Sequence, residues 1–393
     1  MPRRLPLFLT ATTLVSAMGA GLAATWESLL GRRSGLRPCD FLELRAGHIG
    51  RVAGIEDHRL PAALARFDCR THRLADLALR TDGFADAVAH ARGRYGAGRI
   101  AVVVGTSTSG ILSAEDAYCA RDPASGTLPE WFDYDHTHDM AALAQFVAAA
   151  LALDGPAFVV STACASSARA FADAERLIAA GLADAAVVGG ADSLCRMTLR
   201  GFAALELISP VPCRPGAADR AGLSIGEAAG FTLLERQGAG VALLGAGASS
   251  DGYHMSAPRP DGAGAAAAMH AALDAAGLAP EAIDYVNLHG TGTPANDAME
   301  DAAMLSVFGP GTPCSSTKGY SGHTLGAAGI VEAAISALCI THGLLPGGLF
   351  PDAPDPALGA HILVAHESRP VRHVLSNSFG FGGINCSLVL GAA

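Results

Sequence analysis

Short apolar, β-branched runs recur along the chain: Ile100–Val104, Ala157–Val160, Ala185–Val188, Phe231–Leu234, Val241–Leu244, Tyr285–Leu288 and Val374–Ser376. Alanine-rich segments with helical periodicity separate them. Runs that are apolar throughout belong to strands covered on both faces. Their alternation with helices predicts an α/β protein on a buried, largely parallel sheet. Residues 2–24 imitate a secretory leader, with an arginine pair, an apolar run and then small residues. Yet Thr10, Thr12, Thr13 and Ser16 make that run polar and β-branched, and the helical pattern continues through the would-be cleavage point. The expectation is a first core strand over Leu5–Thr10, a turn through Ser16–Gly21 and an amphipathic helix around Trp26–Leu30. No other stretch reaches the ~18 uninterrupted apolar residues of a membrane span.

Two segments share one design. Segment 159–180 (VVSTACASSARAFADAERLIAA) reads as strand, Ser-Thr turn, cysteine and helix. Segment 313–334 (PCSSTKGYSGHTLGAAGIVEAA) reads as strand, Ser-Thr turn, lysine, histidine and helix. An internal duplication follows, with the break near Glu235–Gly240 and expected halves of 1–237 and 238–393. The first half carries the cysteine, the second the lysine and two histidines.

Composition narrows the classes. With 393 residues, 50% of them hydrophobic and 16% charged, the chain is the opposite of a disordered one and can hold several cores or one duplicated unit. A net charge of −10 argues against nucleic acid as a partner, which needs a concentrated basic face. Nine scattered cysteines without a C-x-x-C pair fit individual thiols in a reducing cytoplasm. Among 27 basic residues Lys318 alone is lysine. A lysine that survives such an arginine bias marks a place where a planar, permanently charged guanidinium does not fit.

The candidate chemistry gathers at strand ends. Cys164 follows a strand and opens a helix, where unpaired backbone N–H groups and the helix dipole favour thiolate. A lone cysteine among small residues is usually an inert thiol, but this one has company. His289 ends the strand Tyr285–Leu288 in a His-Gly-Thr-Gly-Thr turn, the edge where parallel sheets bind ligands. His323 begins the second helix five residues after Lys318. The glycines of Asn377–Asn385 allow close backbone approach to a substrate. His136 and His138 suggest a metal site, but they point to opposite sides of an extended chain and lack a third ligand, so no metal is expected.

The motifs T-A-C-A-S-S (162–167), N-L-H-G-T-G-T-P (287–294), S-T-K-G-Y-S-G-H-T-L-G-A-A-G (316–329) and N-S-F-G-F-G-G-I-N (377–385) resemble the β-ketoacyl-acyl-carrier-protein synthases of the Cys-His-His type. The likeness covers nearly the whole chain and implies the thiolase-like fold, a duplicated five-layered αβαβα architecture. It implies that Cys164 takes an acyl group from carrier-protein phosphopantetheine. His289 and His323 then promote decarboxylation of malonyl-carrier protein, and the carbanion attacks the Cys164 thioester. The backbone N–H groups of Cys164 and Phe381 would hold the oxyanion, with Phe381 and Gly382 in the gating segment. Lys318 would pair with Glu332, and Asp297 and Glu300 would order the site, helix-dipole pairing being the other reading of these acids. Thr291, Thr293 and Asn385 would bind substrate.

Ile384 and Cys386 depart from the family pattern away from the chemistry. Thr108, in Gly105-Thr-Ser-Thr-Ser-Gly110, stands where chain-elongating members have a bulky aliphatic gate, which implies a pocket for a stiff or partly polar chain. In G-T-S-T-S-G, L-H-G-T-G-T-P-A-N-D and S-T-K-G-Y-S-G-H-T together the chain looks most like the synthases of bacterial aryl-polyene clusters. Arg59, Arg66, Arg70 and Arg73, expected on one helical stretch, would dock the acidic carrier protein; a solvated helix face is the alternative. The resemblance implies no permanently bound cofactor, no membrane span, and a dimer with a copy of itself or a chain-length-factor-like subunit. Met140–Leu153 with Tyr134 would contribute to that interface. Thiolases would use a second cysteine and synthases III a His-Asn pair. A chain-length factor would lack the nucleophile, and a Cys-His hydrolase would use water as acceptor.

Overall fold

The computed structural model describes residues 6–41, 47–349 and 353–393; Leu5 lies outside them. Ten strands carry the architecture: β1 (Leu7–Ser16), β2 (Ile100–Gly105), β3 (Ala157–Val160), β4 (Ala185–Asp192), β5 (Ala228–Glu235), β6 (Val241–Ser250), β7 (Tyr285–Asn287), β8 (Pro313–Ser315), β9 (His373–Gly380) and β10 (Ile384–Ala392). With the short strands Gly19–Ala20 and His361–Ile362 they form a twelve-stranded sheet, ordered β8-β7-β9-β10-β6-β1-β5-β4-β2-β3. Only Leu7 opposite Leu243 and Phe8 opposite Ala242 join β1 to β6. The sheet is therefore two sub-sheets of one design, in each of which the order is first, fifth, fourth, second and third strand. The duplication read from the strand–turn–helix segments is this repeat.

The expected largely parallel sheet is corrected. β2 pairs in parallel with β3 and β4, and β7 with β8 and β9. The pairs β1–β5, β4–β5, β6–β10 and β9–β10 are antiparallel. An all-apolar run reports that both faces are covered, not which way its neighbour runs. The first strand also continues past Thr10 to Ser16. Its threonines find partners there: Thr12 Oγ1 lies 2.9 Å from Thr232 Oγ1, and Thr13 donates to the Ala78 carbonyl at 2.8 Å.

Alternate strand residues face different cores, which builds five layers. On one outer face, Val102, Val104, Val187 and Phe231 pack against Leu74, Val88 and Phe146. The other faces of the same strands, through Ala101, Val103 and Val188, meet two central helices, α1 (Ser166–Ala179) and α2 (Ala328–His342), which also cover Val374, Leu388 and Leu390 of the second sub-sheet. Beyond that sub-sheet lie Met269, Leu273, Met299 and Val307. Leu325–His342 is apolar and long enough to cross a membrane, but 83% of it is buried in the protein's middle layer.

The central helices approach closely because Gly329 has no side chain: a Cβ there would fall 2.4 Å from the Ala168 backbone nitrogen. Gly329→Ala should force the helices apart. Overpacking of this kind costs about 1–3 kcal/mol, so a lowered thermal unfolding midpoint is expected by scanning fluorimetry; an unchanged midpoint would contradict the packing described.

Candidate active site

The two reactive turns occupy equivalent places, after β3 and after β8, ahead of α1 and α2. Ala163 adopts φ +49°, a left-handed conformation uncommon for a residue with a side chain, and this sharp corner presents Cys164 at the start of α1. Cys164 Sγ lies 3.0 Å from His323 Nε2. His323 does not begin α2, as its spacing had suggested. It sits in a turn after the short helix Lys318–Ser321. There its backbone N–H donates to Ser224 O at 2.7 Å and its carbonyl accepts from Gly226 at 2.9 Å. His289 follows β7, and its ring meets that of His323 edge-on, with centroids 5.3 Å apart.

Burial sets the protonation states. It pushes the Cys164 thiol up to about 11, with the Lys318 charge and the Phe381 backbone N–H opposing. It also holds both His289 and His323 well below the ordinary imidazole value, and Lys318 adds to this. The expectation of a thiolate at the helix start is therefore corrected. Burial is the largest influence on this thiol and disfavours its charged form, as it does those of both imidazoles.

Lys318 is 2% exposed, and its ammonium donates to the Glu332 carboxylate and to the His289 carbonyl. Its Nζ is also 3.4 Å from His289 Nδ1. An ammonium only donates, so Nδ1 presents its lone pair and the ring proton sits on Nε2. Glu332 is pushed up to about 7 by burial, against the pull of Lys318. Glu300 accepts from the backbone N–H groups of His289 at 2.8 Å and Gly290 at 2.7 Å, and from Asn377 Nδ2 at 3.1 Å. Burial likewise raises it to about 7. Asp297, raised by burial, accepts from Gly292 and Gly216 at 3.1 and 2.9 Å. Both acids brace the turn that carries His289.

A cavity of about 200 Å³ opens onto these groups. Cys164, His289, His323, Thr291, Thr293, Phe381, Gly382 and Asn385 all line it. Thr291 and Thr293 share a hydroxyl contact of 2.9 Å, and Asn385 donates to Asp251 at 2.7 Å. Sequence reasoning missed Phe202, Leu207, Leu223 and Asp251, which also line the cavity. The Phe202 ring lies tilted against that of Phe381, with centroids 5.5 Å apart; nothing in its local sequence signals that contact. The ligand atoms of Cys164, His289 and His323 lie within 4.8 Å of one another, so this group could also hold a soft cation.

Several expectations change. Thr108 is absent from the cavity lining; its hydroxyl donates to Asp192 at 2.7 Å. The four arginines do not share a helix face. Arg59 and Arg66 are exposed, in a loop and in the 3₁₀ turn Ala62–Phe67. Arg70 bridges the fully buried Glu227 at 2.6 Å, and Arg73 pairs with the exposed Asp68 at 2.6 Å. His136 bonds Asp133 at 2.7 Å and His138 lies edge-on to Tyr134. The helix Ala142–Leu151 spends Leu143, Phe146 and Val147 on its own chain's core, while Tyr134 stays exposed.

The neutral thiol has a kinetic consequence. A free thiol titrates near pH 8.5, and a folded-state value above that preserves the unreactive S–H form. Iodoacetamide labelling of Cys164, followed by peptide mass, should still be accelerating above about pH 8.5. A plateau below about pH 7, as a thiolate–imidazolium pair gives, would contradict this.

Residues 7–239 match the sequence model of the beta-ketoacyl synthase N-terminal domain, and residues 241–349 that of the C-terminal domain. The chain is 40% identical over 312 residues to the 3-oxoacyl-acyl-carrier-protein synthase 2 of Rhizobium meliloti, covering 74% of this chain and 73% of the relative. The enzyme of the same name from Vibrio cholerae is 32% identical over 413 residues, covering 97% of each. Among solved structures, the ketosynthase ApeO in complex with its chain length factor ApeC, from Xenorhabdus doucetiae, superposes with a TM-score of 0.92. It has 40% identity and covers 100% of this chain and 99% of that one. The two domain models together span most of the sequence, and the Vibrio cholerae enzyme matches over nearly its whole length: the chain belongs to the beta-ketoacyl synthase family.

Proposed function

We propose that this condensing acyltransferase joins malonyl-carrier protein to an acyl group held on Cys164, releasing 3-oxoacyl-carrier protein. The observation that carries the reading is the Cys164 Sγ to His323 Nε2 contact of 3.0 Å with His289 in the same cavity. In the first half-reaction the Cys164 sulfur attacks the acyl thioester carbonyl. His323 moves the thiol proton to the departing phosphopantetheine sulfur, and the N–H groups of Cys164 and Phe381 hold the oxyanion. In the second, loss of carbon dioxide from the malonyl thioester leaves negative charge on its carbonyl oxygen. His289, whose Nε2 carries the ring proton, and His323 stabilise that enolate. Its carbon attacks the Cys164 thioester, the C–S bond breaks, and the thiolate regains a proton.

Lys318 supports the second step by fixing the His289 tautomer from behind, with Glu332 balancing its charge in a buried pair. Thr291, Thr293 and Asn385 fit the place where a phosphopantetheine arm would lie, so no permanently bound cofactor is needed. Arg59 and Arg66 remain as the cations for carrier docking. Thr108 would act on the acyl side, beyond the cavity that Cys164 opens onto. The working assembly is a dimer in the cytoplasm, with a copy of the chain or a chain-length-factor-like subunit; the likeness to the ApeO complex favours the latter. The resemblance of the motifs at 105–110, 288–297 and 316–324 to the aryl-polyene synthases supports a polyenoyl rather than saturated substrate. A purely non-catalytic partner role is disfavoured by the paired Cys164 and His323.

Mass spectrometry after mixing with acyl- and malonyl-carrier protein tests the reading. Acyl mass on Cys164 followed by 3-oxoacyl product is expected, and free acid as the sole product would overturn it; Cys164→Ala should take no acyl group. Lys318→Arg should acylate normally yet lose at least about tenfold in condensation, because a planar fork cannot replace a compact ammonium in this pocket. Normal condensation by that variant would remove Lys318 from the machinery.

A further inference from the structure

Asp192 ends β4 and is fully buried. Among the described residues no basic side chain pairs with it. Its carboxylate is met by hydrogen-bond donors alone. Thr106 Oγ1, the Thr108 backbone N–H and Thr108 Oγ1 reach Oδ1 at 2.5, 3.0 and 2.7 Å. On Oδ2, the Ser107 N–H and hydroxyl donate at 2.9 and 2.7 Å, and the Gly326 N–H at 2.6 Å. These donors come from two turns far apart in sequence: the hydroxyl-rich turn after β2, and the turn that carries His323.

The second turn needs such a hold. Leu325 adopts φ +54°, left-handed for a residue with a side chain, two positions after His323. Gly326 makes the approach possible, since a Cβ there would fall 2.6 Å from Asp192 Oδ2 and 2.7 Å from the Ser107 nitrogen. Ser107 Oγ closes the triangle by accepting from Gly326 at 3.1 Å.

We propose that Asp192 is a positioning residue: one buried carboxylate clamps the 106–108 turn to Gly326 and so fixes His323 against Cys164. The inference rests on the reading of Cys164 and His323 given above. The strand end is rigid scaffold, whereas the His323 turn is short and strained, and a displacement of about 1 Å at a reacting group costs up to ~100-fold in rate. An anion is required because every group facing it donates. An amide in its place would turn N–H against N–H, either at Gly326 or at the Thr106–Thr108 side.

The test is the rate of Cys164 acylation against acyl-carrier-protein concentration, by intact-protein mass, for the full chain. Asp192→Asn should lower the saturating rate by at least about tenfold with the half-saturating donor concentration unchanged. Ser107→Ala, which removes one brace without a charge change, should lower it a few-fold at an unchanged thermal midpoint. Should Asp192→Asn fail to fold, Ser107→Ala decides the question by itself. Wild-type saturating rates in folded variants, or a change confined to the half-saturating concentration, would overturn the clamp. His323→Ala separates the two readings. If it acylates slowly while the clamp variants are normal, the clamp alone fails; if it acylates as wild type, the reading of His323 fails and takes the clamp with it.

Discussion

The close crossing of the two central helices is the constraint on which the site depends. Each half of the duplicated fold delivers a turn at the start of its central helix. Those turns meet only because Gly329 lets α2 lie against Ala168 of α1. Cys164 comes from the first half and His323 from the second, yet they stand at hydrogen-bond distance. A wider crossing would leave a thiol and an imidazole in separate pockets, each of them an inert buried group. The five-layer arrangement thus does more than bury surface: it makes one reaction centre from two copies of one motif.

Within that centre the low-dielectric interior decides the resting chemistry. Desolvation raises the thiol and lowers both imidazoles, which favours the neutral form of each. Around these groups the acids divide the work. Glu332 balances Lys318, Glu300 and Asp297 hold the His289 turn, and Asp192 holds the His323 turn. A neutral site is suited to a substrate that develops its charge only during reaction, because donors already in place meet that charge without reorganisation.

Much of this was legible in the sequence because the informative signals are local. Strand cores showed as apolar runs, and the duplicated strand–turn–helix segments showed as a repeat. Cys164, His289, His323 and Lys318 stood at strand ends within glycine- and serine-rich turns. Other contacts stayed hidden because the partner lies far along the chain. Arg70 looked like free surface charge until Glu227 was placed beside it. The Thr108 hydroxyl turns to Asp192, a partner 84 residues away that no local pattern announces. Asp192 itself carried a signal that went unused, a lone acid closing the apolar run Ala185–Asp192.

By itself the sequence determined the strand and helix periodicity, the repeat, the family and the identity of the reactive groups, since each is written in residue spacing or in a motif a few residues long. The tertiary structure alone decided the direction in which strands pair, the neutral state of the thiol, the tautomer of His289 and which charges are free. Those depend on what is within a few ångströms in space, on desolvation and hydrogen-bond partners supplied by segments up to hundreds of residues away, and spacing along one chain does not encode them.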